Sequence, residues 1–303
     1  MTVPATLSPL PPQRLARAQG AGAGDWLAGL PALVEKLLGR WELTAERVVA
    51  PGGRSSVLVL VREADGGRAA LKICAPDAPA ALEEAALRHW DGLGAVRLLR
   101  SAPEDGALLL ERLHCETSLR SLPDAKAMLE AVSTARRLWV EPGPGHPFPS
   151  VEARTGRQAE LMRAAGAGEE TGPLVAEALR TRAELVADAG ERLLLHGDFR
   201  QGSVLASDAE RAPWLAVGPE PVVGERAYDL ARLVRDRLHD LVASPGAAAI
   251  TRRRVTRLAE SVEVDPERVR GWALFRAVES GVRHLAAGQR TDGEMLLEFA
   301  TWL

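Results

Sequence analysis

Leu193-Leu194-Leu195-His196-Gly197-Asp198-Phe199-Arg200-Gln201-Gly202-Ser203-Val204-Leu205 runs from an apolar segment through a polar loop and back into apolar residues. The three leucines read as a short buried strand. A strand that releases His-Gly-Asp into a loop presents the Asp198 carboxylate at its end. There a carboxylate can accept a proton from a substrate hydroxyl. The same residues also read as a turn in which Asp198 caps local amides. Further along, Trp214 to Ala231 spans a strand, a Gly/Pro turn at Gly218-Pro219-Glu220-Pro221, and the start of a helix holding Asp229. Taken alone, Asp229 satisfies N-terminal amides.

Upstream, Ala69-Ala-Leu-Lys72-Ile73 sets a lysine inside an apolar strand. The chain has only three lysines, Lys36, Lys72 and Lys126, among 38 basic residues, so arginine is its default surface cation. A lysine in a strand then points to a compact charge paired with a carboxylate or phosphate. Glu83 and Glu84 follow on the next predicted helix, and either can be the partner. An edge-strand surface lysine is the plainer reading.

Around these segments the periodicity predicts strands over 55–61, 68–73, 95–100 and 107–113, with a helix over 79–90. Ahead of them Asp25 caps a helix carrying Leu27, Leu30, Val34, Leu37, Leu38 and Trp41 at helical spacing. Residues 1–24 are rich in Pro, Ala and Gly and read as a loosely ordered segment. Beyond them, helices are predicted from 124 to 138, over 152–165, 174–188, 227–242, 250–262, 266–286 and 292–303. Ser121 and Thr291 are read as capping-box starts. Short strands fall at 193–195, 204–206 and 214–217. The fold class is therefore α+β and bilobed, with a β-rich region over 25–115 and a large helical region over 116–303.

Composition excludes several classes. The 303 residues are 46% hydrophobic and 26% charged with net charge −3, an ordinary globular balance without the basic excess of a nucleic-acid or membrane-surface binder. Two cysteines are too few for a disulfide framework. No apolar run reaches the ~18–20 residues that span a bilayer, and no secretory signal is evident, so a cytoplasmic location is expected. His89, His114, His146, His239 and His284 lack metal-ligand spacing. Arg252-Arg253-Arg254 reads as a solvated helix face.

A strand lysine, a glutamate on the following helix, a His-x-Asp loop and a later Asp together resemble the protein-kinase-like constellation. The particular version resembles the aminoglycoside phosphotransferases, closest to the streptomycin 6-kinase and hydroxyurea-type antibiotic resistance kinases. The matching text comprises Asp25–Val34, Arg68–Ile73, Ala95–Leu99, Ala107–Leu113, His196–Leu205, Trp214–Leu230 and Arg252–Arg254. The resemblance implies an ATP-dependent O-phosphotransferase acting in antibiotic resistance or secondary metabolism. Its acceptor would be a small molecule, with a cationic aminoglycoside one option. It assigns Gly52, Gly53 and Ser55 to the loop over the phosphates, and Lys72 with Glu83 or Glu84 to the α/β-phosphates. Glu111 to Leu113 would be the hinge that meets adenine. Asp198 would be the catalytic base, with His196 and Asp229 structural.

Two departures touch the mechanism. The family carries Asn where this chain has Ser203, and Asp, within Ile-Asp-Pro, where it has Gly218 within Val-Gly-Pro. Those are the magnesium ligands. Serine is a weak ligand and glycine offers no side chain. Arg200 stands where close relatives have His, and Trp139 where they have His. Two readings stay open: a phosphotransferase impaired in its metal site, and a catalytically inactive pseudokinase that binds a ligand or partner.

Overall fold

The computed structural model describes residues 10–78, 80–165 and 171–303. They fall into two compact units, the first comprising the described residues up to 118 together with 205–217, the second those from 119 to 204 together with 218–303.

In the first unit, helix α1 (Gln13–Gln19) precedes helix α2 (Gly24–Trp41). The segment expected to be loose thus holds a helix, and its Leu15 is fully buried against the same core as α2. The expectation for residues 1–9 lies outside the described residues. Asp25 falls inside α2 rather than at its cap. On α2, Leu30, Val34, Leu37 and Trp41 recur on one face and are buried.

Strands β1 (Thr44–Val48), β2 (Ser56–Arg62), β3 (Arg68–Cys74), β4 (Leu98–Ala102) and β5 (Ala107–Glu111) build one sheet in the order β1-β2-β3-β5-β4. All its pairings are antiparallel. Strand side chains alternate between faces. Val57, Val59 and Val61 of β2, with Leu71 and Ile73 of β3, fill the core against α2. Lys72 and Cys74, out of step with Leu71 and Ile73, belong to the opposite face, which reaches helix α3 (Ala80–Trp90) through Glu83. Pro79, read as the start of that helix, lies outside the described residues.

β6 (His114–Ser118) pairs with β8 (Val204–Ala206), which neighbours β9 (Trp214–Ala216). The stretch 205–217, assigned from sequence to the helical region, therefore belongs to the β-rich unit. Strand pairing across about 90 residues of chain leaves no local sign in either strand.

The second unit contains α4 (Asp124–Leu138), α5 (Val151–Ala164), α6 (Gly172–Ala187), α7 (Arg226–Val234), α8 (Leu238–Val242), α9 (Ala247–Ser261), α10 (Pro266–Ala286) and α11 (Arg290–Ala300). α10 is its centre: Trp272, Phe275 and Val278 are buried, and the helix packs on α6, α7, α9 and α11. Asp265 caps it by accepting from the Glu267 N–H at 2.9 Å. Neither Ser121 nor Thr291 caps a helix. Ser121 sits in a short 3-10 turn before α4, and Thr291 lies within α11, whose N-cap is Gln289. β7 (Leu193–Leu195) pairs antiparallel with β10 (Val222–Gly224), the two-stranded ribbon from which the His196 loop emerges. Among the described residues no helix is long and apolar enough to cross a membrane.

Candidate active site

In the first unit, Lys72 Nζ lies 2.6 Å and 2.5 Å from the two carboxylate oxygens of Glu83. The pair is largely buried, with side chains 13% and 7% exposed. Glu84 is one residue on and belongs to another contact. Its Oε1 accepts from Arg88 Nε at 3.0 Å and Ser101 Oγ at 2.7 Å. Burial pushes the neighbouring Cys74 thiol up to about 11, against the opposing pull of Lys72.

Gly52, Gly53 and Ser55 lie in the connection between β1 and β2. Gly52 has φ +70°, and a Cβ there would sit 2.9 Å from the Val49 carbonyl oxygen, so the turn needs glycine. The Ser55 carbonyl accepts from Ala75 N at 2.8 Å, joining this connection to the end of β3. Glu111 ends β5. Its N–H donates to the Arg97 carbonyl at 3.0 Å, and its carboxylate takes the Arg97 N–H and pairs with Arg211. Leu113 is buried, and its carbonyl accepts from Cys115 N at 3.0 Å.

The second unit holds the His196 loop. Asp229, fully buried on the first turns of α7, does not cap its own helix. Its carboxylate accepts from His196 N at 2.9 Å, Gly197 N at 2.8 Å and Trp139 Nε1 at 3.1 Å. The loop is thus tied to α7 by its main chain. Gly197 has φ +81°, and a Cβ there would lie 1.8 Å from the Glu220 carbonyl oxygen. Glu220 N in turn donates to the His196 carbonyl at 2.9 Å. His196 itself is fully buried, and its ring meets Phe199 edge-on.

Asp198 emerges from this loop into a ring of arginines. Arg232 Nε donates to Oδ1 at 2.7 Å, Arg200 Nε to Oδ2 at 3.1 Å, and Arg276 stands 3.9 Å from Oδ1. Burial alone would raise the carboxyl, but the three guanidinium groups outweigh it and hold Asp198 well below the usual carboxylate range. Arg232 and Arg276 belong to no motif in the sequence. A signal exists for Arg232: it follows Asp229 by three residues, which puts both on one face of α7.

The Ser203 hydroxyl accepts from Arg200 N at 3.1 Å and donates to the Arg200 carbonyl at 2.9 Å, closing the turn 201–203 on itself. Gly218 has φ +64°, and a Cβ built on it would meet no atom within 4 Å, so the position itself offers no side chain and lies in open space. Glu220 is 57% exposed and pairs with Arg154. Glu225 is committed to Arg268 and to Trp272 Nε1 at 2.7 Å. A magnesium ion takes oxygen ligands, preferably carboxylate. The two positions that hold it in the resembling family supply one engaged hydroxyl and no second side chain, so they do not fit that ion. Among the described residues no three His, Cys, Asp or Glu side chains group as a metal site.

Arg254 is not on a solvated face: it donates to Asp124 at 2.7 Å and to the Asp236 carbonyl at 2.8 Å. The helix expected over 227–242 breaks at Arg237, φ +56°, whose guanidinium reaches Gln201 Oε1 at 2.8 Å and the Leu122 carbonyl at 2.7 Å.

The fold matches solved structures at low identity. A thermostable mutant of aminoglycoside phosphotransferase APH(4)-Ia, in ternary complex with ADP and hygromycin B, aligns with TM-score 0.62 at 14% identity, covering 88% of this chain and 96% of that one. Choline kinase LicA from Streptococcus pneumoniae aligns with TM-score 0.63 at 10% identity, covering 91% of this chain and 100% of that one. In sequence, streptomycin 6-kinase of Streptomyces glaucescens is 37% identical over 276 residues, 90% of this chain and 89% of the relative. Hydroxyurea phosphotransferase of Kitasatospora aureofaciens is 36% identical over 277 residues, 89% of this chain and 77% of the relative. The profile described as aminoglycoside/hydroxyurea antibiotic resistance kinase matches residues 40–288. With fold, relatives and profile in agreement over most of its length, the chain belongs to the aminoglycoside/hydroxyurea antibiotic resistance kinase family.

Proposed function

We propose that this protein is an ATP-dependent phosphotransferase directed at a hydroxyl of an antibiotic-like small molecule, strongly slowed by loss of the family's magnesium ligands. The observation that carries the reading is Asp198, a carboxylate held ionised at the end of β7 by a loop whose main chain is fixed through Asp229. Such a carboxylate orients an acceptor hydroxyl and takes its proton as transfer completes. Lys72, held by Glu83, would pair with phosphate charge, and the glycine connection at Gly52 and Gly53 would border it. ATP supplies the phosphoryl group when bound.

Positioning and charge neutralisation make up most of phosphoryl-transfer catalysis. Losing a metal carboxylate removes several kcal/mol of transition-state stabilisation, roughly a thousandfold in rate. A second reading, binding without transfer, is favoured by one observation: the Ser203 hydroxyl is already spent on Arg200, and Gly218 offers nothing beside it.

The test is direct. The protein is incubated with ATP, magnesium and streptomycin, or hydroxyurea in parallel, and mass spectrometry looks for phosphorylated product. The double variant Ser203→Asn, Gly218→Asp runs alongside. Slow product from the native chain, and faster product from the double variant, is the expected result. Product from the double variant alone supports the binding-only reading, and no product from either overturns the proposed activity on these acceptors.

A further inference from the structure

Arg200 and Arg232 grip Asp198 from two sides, and each does so through Nε alone. A guanidinium carries five N–H donors, so one bound through Nε keeps its two terminal nitrogens for another partner. Arg276 differs, because its terminal nitrogens are taken by the carbonyls of Tyr228 and Gly197 at 3.0 and 2.8 Å. The Arg200 and Arg232 side chains are 41% and 25% exposed, so neither is sealed from solvent.

The charge around this point is lopsided. Three guanidinium groups surround one carboxylate. Asp229 is spent on three N–H groups. Asp236 accepts from Gln201 N at 2.7 Å, and burial raises its carboxyl toward the neutral form. Glu220 is solvent-exposed and shared with Arg154. Arg235, also close to Arg232 and Arg276, is buried with its Nε unpartnered. The nearby metal positions add no cation of their own, since Ser203 and Gly218 do not fit one. Planar guanidinium pairs are suited to tetrahedral oxyanions.

We infer that Arg200 and Arg232 form a metal-free oxyanion site beside Asp198, which takes the phosphate group of a phosphorylated ligand on their terminal nitrogens. Arg200 thus supplies part of the positive charge that the altered magnesium positions lack. The choice of phosphate among oxyanions rests on the phosphotransferase reading; the guanidinium arrangement does not.

The test titrates the full chain with inorganic pyrophosphate in excess EDTA, at ionic strength held constant with chloride, by calorimetry. Saturable binding without a divalent cation is expected. Arg200→Gln weakens it by about tenfold or more, the loss of charge-assisted hydrogen bonds, while Arg200→Lys keeps part of it. Arg283→Gln, at an exposed arginine paired with the buried Glu279, binds like the native chain. Thermal unfolding of each variant checks that it folds. Absence of saturable binding, binding that requires magnesium, or binding unchanged in Arg200→Gln overturns the site. Failure of turnover with Arg200-dependent binding intact sinks the phosphotransferase reading and leaves the anion site standing. Turnover with Arg200-independent binding does the reverse.

Discussion

Asp198 and Asp229 are both acidic residues of one loop-and-helix junction, and their surroundings give them opposite work. Asp229 meets only N–H donors, three of them, in a fully buried position. Replacing it with alanine strands those donors without water, which costs about 3 kcal/mol or more. Urea unfolding of Asp229→Ala is expected to show that loss, and a change below about 1 kcal/mol would contradict the tie between loop and α7. Asp198 meets cations instead. Its folded carboxyl lies below the usual range, while in the unfolded chain it titrates near 3.9. A depressed folded value stabilises above the unfolded value and is lost as pH falls through the folded one. Asp198→Asn should therefore be destabilised relative to the native chain at pH 7, with the gap shrinking as pH drops below about 4. A gap constant from pH 7 to pH 3 would rule out the ionic basis. Lys72 was legible because it breaks an apolar strand and Asp198 because it follows one into a polar loop, whereas Asp229 read alone was a cap for its own helix and only the resemblance gave it a role in the His196 loop. Arg232 was less so: one arginine among 35 carries no mark of its own, and its importance appears only when α7 sets it beside Asp198.

Helices α2, α4 and α10 follow the apolar spacing of their residues closely, since a buried stripe on a long helix leaves a strong period. The elements that escaped a local reading were short or charged. β1 carries Glu46 and Arg47 at a sheet edge, where charges are tolerated and the alternation is erased. The break after α7 involves neither Gly nor Pro; Arg237 adopts a left-handed conformation because its guanidinium bonds compensate. The junction of β7 with the chain before β10 is tight at Gly197. Gly197→Ala would drive a methyl into the Glu220 carbonyl and also strain a positive φ. A loss of about 3 kcal/mol or failure to accumulate soluble protein is expected, and a native-like melting temperature would refute that packing. Between β3 and α3, burial raises the Cys74 thiol to about 11 whereas Cys115 is half-buried. Thiol titration with a disulfide reagent at pH 8 should count one fast cysteine in the native state and two in denaturant. Two fast thiols in the native state would mean that β3 and α3 open readily.

Across the whole molecule, the chain keeps to its family over most of its length, and the proposed loss of magnesium ligands at Ser203 and Gly218 has a consequence testable without any acceptor. Lys72 is paired with Glu83 and Asp198 with Arg232, each within its own unit, so the proposed loss at Ser203 and Gly218 would be local to the metal positions. Nucleotide affinity that no longer draws on a metal should be indifferent to it. Thermal unfolding with saturating ATP is expected to give the same shift in EDTA as in magnesium for the native chain. The Ser203→Asn, Gly218→Asp variant should regain a magnesium increment. Gly218 has open space around it, so the new carboxylate meets no clash, and the strain of its positive φ is smaller for Asp than for most residues. A tenfold gain in apparent affinity adds about 1.4 kcal/mol of stabilisation, or a few degrees in a chain of this size. A magnesium-dependent shift already present in the native chain would mean that other oxygens hold the ion. That outcome would restore a working metal site and remove the reason for slowed transfer.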